Sequence, residues 1–373
     1  MVEDLIIEEK YFEEIKLYDK KYYEIISKFN LNFPKCLNLQ KEKKIFFDEI
    51  KSNKIYNPQF EFEVKVFDEK YIEELKKLKI NLKNDLYGFK KLYSERLKTK
   101  KFEIDCHKLW GLQISTNSVL KYRGKPDLFL LNRAKYICRK YQREKVKFNV
   151  LTPEEIGVEL KKLVFNLTQE KIKVIFCELS SKVNINASEK IIKINPNERF
   201  TSLDLKRLKI HEIGTHYLRY FNGNKFIPQI LASGSSNYIE IEEGLATFME
   251  EKNGVLSKAQ LFIYAGRVIA TYYALKKSFY EVYMILKKYG FKDSDAFAIT
   301  FRSKRNLNDT SKPGGFTKDY VYLSGYYKIK HFAKNHDVRD LFVGKIKITD
   351  LRIIRKFVEK NKNKIQVLSG EIN

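Results

Sequence analysis

His211-Glu212-Ile213-Gly214-Thr215-His216 gathers two of the chain's five histidines around one carboxylate. A second acidic stretch, EEGLATFMEE, runs downstream from Glu242 to Glu251. Two imidazoles and a carboxylate are what a catalytic zinc ion takes from a protein, with a fourth position left to water. A glutamate directly after the first histidine is placed to take a proton from that water. Standing alone, an HExxxH stretch reads as readily as one core and one surface histidine on a helix. With the helix-forming EEGLA segment behind it, the pattern reads as a zinc hydrolase site. His211 and His216 would hold one Zn2+ per chain, and Glu212 would serve as the base.

The spacing of the histidines is informative. Four apart, as in HExxH, they project about 40° from each other on an α-helix; five apart, they project about 140° from each other and cannot share a metal. One extra residue is absorbed if the helix widens locally to i→i+5 hydrogen bonding, a distortion concentrated at functional sites. Gly214 lies within the insert, where the lack of a Cβ makes such widening cheap. An i→i+5 distortion between His211 and His216 is therefore expected.

For the third ligand the choice lies between Glu242 and Glu243, about 100° apart on a helix, so that only one faces the metal. Glu243 is preferred. Gly244 and Ala246 let its helix approach a neighbour closely, and Glu-Gly-Leu-Ala resembles the ligand-bearing helix of other His-His-Glu zinc peptidases. Glu242 then serves as an outer acceptor for a ligand imidazole N–H, or is simply exposed to solvent.

HEIGTH and EEGLA are followed by AFAITFRSKR (296–305), FTKDYVYLSGYYKIKHF (316–332) and DLFVGKI (340–346), and preceded by NPQFEFEV (57–64) and STNSVLKYRGKPDLFLLNRA (115–134). In this order the motifs resemble bacterial proteins named for a QEGLA motif, which are similar to the microtubule-associated tyrosine carboxypeptidases of animals. The resemblance spans roughly residues 57 to 358. Glu242 stands where the bacterial members often carry Gln, a departure that leaves the ligands untouched and fits the outer role. The resemblance implies a zinc metallocarboxypeptidase that removes a C-terminal aromatic residue, Tyr or Phe. His211, His216 and Glu243 would hold the metal, with Glu212 as base.

A carboxypeptidase must recognise a free α-carboxylate, which calls for Arg or Lys in a partly dry pocket. The segment 301–323 offers Arg302, Arg305 and Lys318 around a turn at Pro313-Gly314-Gly315. Each is equally at home in a structural ion pair. Tyr322 is placed to donate to a developing oxyanion, or to serve as ordinary aromatic core. Upstream, KVNIN (182–186) is the candidate edge strand for extended substrate, with Asn184 and Asn186 offering side-chain amides. Turn chemistry at a strand end accounts for either Asn equally well.

Composition fits without deciding. With 373 residues, 43% of them hydrophobic, there is material for one large domain or two packed closely. No apolar run is long enough to span a membrane. The early charges of MVEDLIIEEKYFEE argue against a secretory leader. Cys36, Cys106, Cys138 and Cys177 are scattered with no CxxC pairing, as expected of reduced thiols in a cytoplasmic protein. The net charge of +25 is carried by lysines spread along the chain, so much of it is ordinary solvation. It nonetheless favours an acidic peptide or protein C-terminal tail as partner. No zinc finger or other nucleic-acid motif occurs to make nucleic acid the partner instead. Oligomeric state is not encoded in any motif.

Two alternatives stay open. One is a zinc amino- or endopeptidase, or an amidase, to which the cations of 302–318 are less suited. The other is a non-catalytic zinc-bearing binding protein, which would have no use for the base. The expected fold is α+β and mainly helical, a zincin-like metallopeptidase with a small mixed sheet beside the metal-binding helix. That sheet comes from KVIFCEL (173–179), KVNIN and EKIIKIN (189–195). Helices are expected over 1–30, in two pieces over 69–98, from Pro126 to Gln142, from Thr152, and over most of the chain beyond 240, with 57–67 as a strand. The expected division is a helical N-terminal extension, 1–80, packed on a catalytic domain, 81–373.

Overall fold

A computed structural model of the chain describes residues 2–29, 31–141, 150–179 and 181–368. The chain is mainly helical, with two small sheets. The larger sheet pairs Lys173–Phe176 parallel and Val183–Asn186 antiparallel to the central strand Ile191–Ile194. Ile192 and Ile194 of the central strand are fully buried, whereas the alternate positions are only partly covered, the period-2 pattern of a sheet with one core face. The helix Pro153–Thr168, begun by a Thr152–Glu155 capping box, covers that face with Ile156, Leu160 and Val164. Gly157 lets it approach Val174 closely. Ile213 and Tyr217 from the histidine-bearing helix join the same core, which fixes the sheet beside the site.

Four helices, Leu128–Lys140, Lys258–Ala274, Phe279–Lys288 and Asp293–Lys304, enclose the largest core. Phe46, from the helix Leu39–Lys51, inserts edge-on against Phe279 and Tyr283 and tilted against Phe297. The first helix, Val2–Ile26, buries Tyr11, Ile15, Tyr18 and Tyr22, one helical stripe, against Leu92 and Tyr93 of the helix Phe89–Lys108 and against Ile230 and Phe357. Residues from the first eighty positions thus enter two cores shared with the rest of the chain. Among the described residues no helix is long and apolar enough to cross a membrane.

Two expectations need correction. Residues 57–67 form no sheet strand; only isolated bridges, Gln59 to Asp309 and Cys36 to Phe62, occur there. Main-chain bonds to Lys35, Leu37 and Asn308 are interrupted by side chains, since Gln59 N donates to Glu42 and Glu61 N to Asn38. The helix after Pro126 begins at Leu128, because Asp127 caps it by accepting from Leu130 N. Its expected end at Gln142 lies outside the described residues, and the described helix closes at Lys140. A second ladder, Val150–Leu151 with Phe200–Thr201, was not anticipated; two residues per strand leave too little pattern to read.

Candidate active site

Thr201 and Asp204 form a capping box that starts the helix Ser202–Leu208. That helix runs directly into a π-helix, Lys209–Tyr217, and returns to α-helical winding at Leu218–Asn224. Leu218 N donates to Ile213 O, and Thr215 Oγ1 reaches back to Ile210 O at 3.0 Å, each across five residues. The wider winding brings residues five apart to one face. His211 and His216 accordingly lie side by side, with ring centroids 4.8 Å apart and planes crossed at 84°.

The helix Ile239–Lys252 carries the facing carboxylate. Glu243 Oε2 stands 3.5 Å from His211 Nε2 and 3.7 Å from His216 Nε2. The three candidate ligand atoms lie within 4.8 Å of one another. Ligands about 2.1 Å from a tetrahedral zinc stand about 3.4 Å apart, so the residues fit one such ion.

A sequence profile of the microtubule-associated tyrosine carboxypeptidase family matches residues 46–364. The chain belongs to the microtubule-associated tyrosine carboxypeptidase family. Among its relatives is microtubule-associated tyrosine carboxypeptidase 1 of Homo sapiens, 36% identical over 156 residues, covering 39% of this chain and 31% of the relative. The Rattus norvegicus protein of the same name is 32% identical over 155 residues, covering 39% of this chain and 32% of the relative. The aligned stretch thus spans about a third of the length of these relatives. The profile match takes in the His-Glu trio and the whole of 302–322, and leaves out the first helix.

In this family member each histidine is oriented from behind. His216 Nδ1 pairs with Glu242 Oε1 at 2.9 Å, and His211 Nδ1 with Glu250 Oε1 at 2.7 Å. Both Nε2 atoms are thereby turned toward Glu243. Glu242 is itself gripped by the fully buried Arg219, and Lys345 stands 3.9 Å away. Arg207 Nε donates to Glu250 at 3.2 Å.

Burial opposes charge on all three carboxylates, yet their partners win. Arg219, Lys345 and His216 hold Glu242 at about 2, and the two histidines with Lys318 hold Glu243 at about 2. Arg207 and His211 keep Glu250 below the usual carboxylate range. His211 is pushed down by burial but pulled well up by Glu243 and Glu250, so the pocket demands positive charge at its imidazole. A divalent cation satisfies the same demand. Glu212 is half-buried, and among the described residues no hydrogen bond or ion pair engages it.

Glu250, Arg219 and Arg207 were not singled out from the sequence. Glu250 was recoverable, since it lies seven residues, two helical turns, beyond Glu243 on the same face. The two arginines carry no local signal, because their partners lie on other elements.

The three candidate cations prove unequal. Arg302 is committed to the buried Asp319 through Nε and Nη2. Arg305 stands over Phe33 and Phe316, its nearest acid Asp319 at 3.8 Å, and its Nε and Nη2 have no hydrogen-bond partner among the described residues. Lys318 stands over the Phe33 ring and makes no ion pair among the described residues. Burial, with Arg123 and Arg305 nearby, lowers its ammonium to about 8. Tyr322 stacks on Tyr264 and lies over Arg267. Burial and Glu243 push its phenol well above the usual range, so it stays protonated and able to donate. Asn186 sits on an edge strand, but its Oδ1 accepts from Ser188 Oγ and Glu189 N, the turn chemistry of a strand end. It lines a cleft of about 520 Å3 with Tyr220, Ser233 and Lys345, rather than standing with the histidines.

Proposed function

We propose that this chain is a zinc metallocarboxypeptidase with a zincin-like catalytic region, removing a C-terminal Tyr or Phe from peptides or protein tails. The observation that carries this reading is the convergence of His211, His216 and Glu243 at ligand spacing beside an uncommitted Glu212. Relatives named tyrosine carboxypeptidases support the specificity. Residues 1–80 serve on this reading as an extension packed on the catalytic region 81–373.

A zinc ion held by His211, His216 and Glu243 supplies Lewis acidity toward the scissile carbonyl and makes a water proton easier to remove. The remaining work belongs to side chains. Glu212 takes the proton of the attacking water and returns it to the leaving amine. Tyr322, protonated throughout, donates to the oxygen on which negative charge develops. Lys318 and Arg305 receive the substrate's terminal carboxylate, since Arg302 already serves Asp319. Glu242 and Glu250 hold the imidazoles in the tautomer that presents Nε2.

The test is mass spectrometry of a peptide library ending in each residue type, with free and amidated C-termini, with and without chelator. Loss of one residue from free-acid peptides ending in Tyr or Phe, abolished by chelator, is the expected result. Cleavage indifferent to amidation would point to an endopeptidase.

A further inference from the structure

We infer that residues 365–368 form a strap that selects the π-winding of the histidine helix and so keeps His211 and His216 on one metal; this rests on the zinc-site reading above. Leu368 seats in the notch that Gly214 leaves: a Cβ there would stand 2.7 Å from Leu368 Cδ2. Two residues earlier the strap pairs both ways with the fully buried Asn222. Gln366 N donates to Asn222 Oδ1 at 3.0 Å, and Asn222 Nδ2 donates to Gln366 O at 2.6 Å. Gln366 Nε2 also donates to Leu167 O at 2.5 Å, tying the strap to a neighbouring helix. Val367 and Leu368 pack on the core that holds Ile210 and Leu218. The strap therefore grips the helix twice, at Gly214 within the π-turns and at Asn222 beyond them. It lies just past the family match, which ends at residue 364.

The grip matters because π-winding is rare and is retained only where something specifies it. Rewinding 209–217 as α-helix would turn everything beyond it by about 100° relative to His211. His216 would swing away from the trio. Asn222 would lose Gln366 and its second acceptor, Phe342 O at 3.0 Å, and Arg219 would lose Leu341 O and Ile346 O. These contacts exist in one winding only, so their free energy favours the winding in which the imidazoles converge. Leu368 and Asn222 are positioning residues, since neither reaches the trio.

The experiment uses the full chain and reads zinc affinity by competition with a chromogenic chelator, together with the visible spectrum of the cobalt-loaded protein. Leu368→Ala and Asn222→Ala should weaken zinc binding about tenfold or more, as loss of outer support does, and should alter the cobalt spectrum. Leu368→Met should behave like the parent. Phe279→Leu, a remote core change, should lower the melting temperature while leaving both metal readouts alone. Leu368 is only half-buried, so its alanine variant is informative even if Asn222→Ala misfolds. Unchanged zinc affinity and cobalt spectrum in Leu368→Ala would overturn the strap. His216→Ala with undiminished zinc affinity would instead condemn the zinc site itself.

Discussion

Gly244 and Gly325 meet backbone to backbone: a Cβ on Gly244 would strike Gly325, and a Cβ on Gly325 would strike Glu240 O. Here the helix Ile239–Lys252 closely approaches the helix Val321–Phe332. Glu243, one residue before the contact, takes its position facing the histidines from it. Gly325→Ala should therefore cost about 1–3 kcal/mol in denaturant unfolding, the usual range for overpacking. It should also weaken zinc binding by moving Glu243. A variant of parental stability and metal affinity would show that the crossing has slack.

Glu243→Ala should abolish tight zinc binding. Glu242→Ala and Glu250→Ala should retain binding about 10–100-fold weaker, because they remove orienting partners of His216 and His211 rather than a ligand. Metal content after dialysis against graded chelator separates the cases. If Glu242→Ala loses the metal and Glu243→Ala keeps it, the ligand assignment is reversed.

Glu212→Gln should keep its zinc and lose about a hundred- to ten-thousandfold in turnover, the worth of a positioned base. Since no side-chain partner holds Glu212 among the described residues, melting temperature should hardly change. Full activity in this variant would eliminate Glu212 as the base.

The Lys318 ammonium, lowered to about 8 chiefly by burial, is charged below that pH and neutral above it. The Michaelis constant for a free-acid peptide should therefore rise as pH passes upward through about 8. Lys318→Arg should carry the low value to higher pH, because a guanidinium keeps its charge. A flat pH profile in the parent would remove Lys318 from carboxylate binding.

Acidic residues upstream of the scissile bond should speed cleavage at low salt, through attraction to a chain of net charge +25. The advantage should shrink as ionic strength shortens the Debye length. Rates for acidic and neutral peptides compared across a salt series test this. An advantage that survives high salt would indicate close contacts instead of long-range attraction.

Much of the site is legible in local sequence. The five-residue histidine spacing with Gly214 inside it foretells a widened helix, and Lys209–Tyr217 is one. Thr152 and its glutamate three residues on announce the helix they cap. The strand expected over 57–67 fails because alternation records only that side chains face opposite ways. It says nothing of whether a continuous strand is there to pair, and here isolated main-chain bonds to Lys35, Leu37 and Asn308 are interrupted by the Asn38 and Glu42 side chains.

Spacing along one element pointed by itself to the two histidines, the adjacent glutamate and the acidic helix that follows, because imidazoles five residues apart share a face only where the helix widens. Only the tertiary structure decided how these groups are held and which cations are spare. Arg302 and Arg305 lie three residues apart in one stretch, yet Arg302 is neutralised by Asp319 while Nε and Nη2 of Arg305 find no hydrogen-bond partner among the described residues. Glu242 is gripped by Arg219, and Gly214 is filled by Leu368 from the far end of the chain. Such pairings join residues distant in sequence, and their energies depend on burial and distance, which no local pattern encodes.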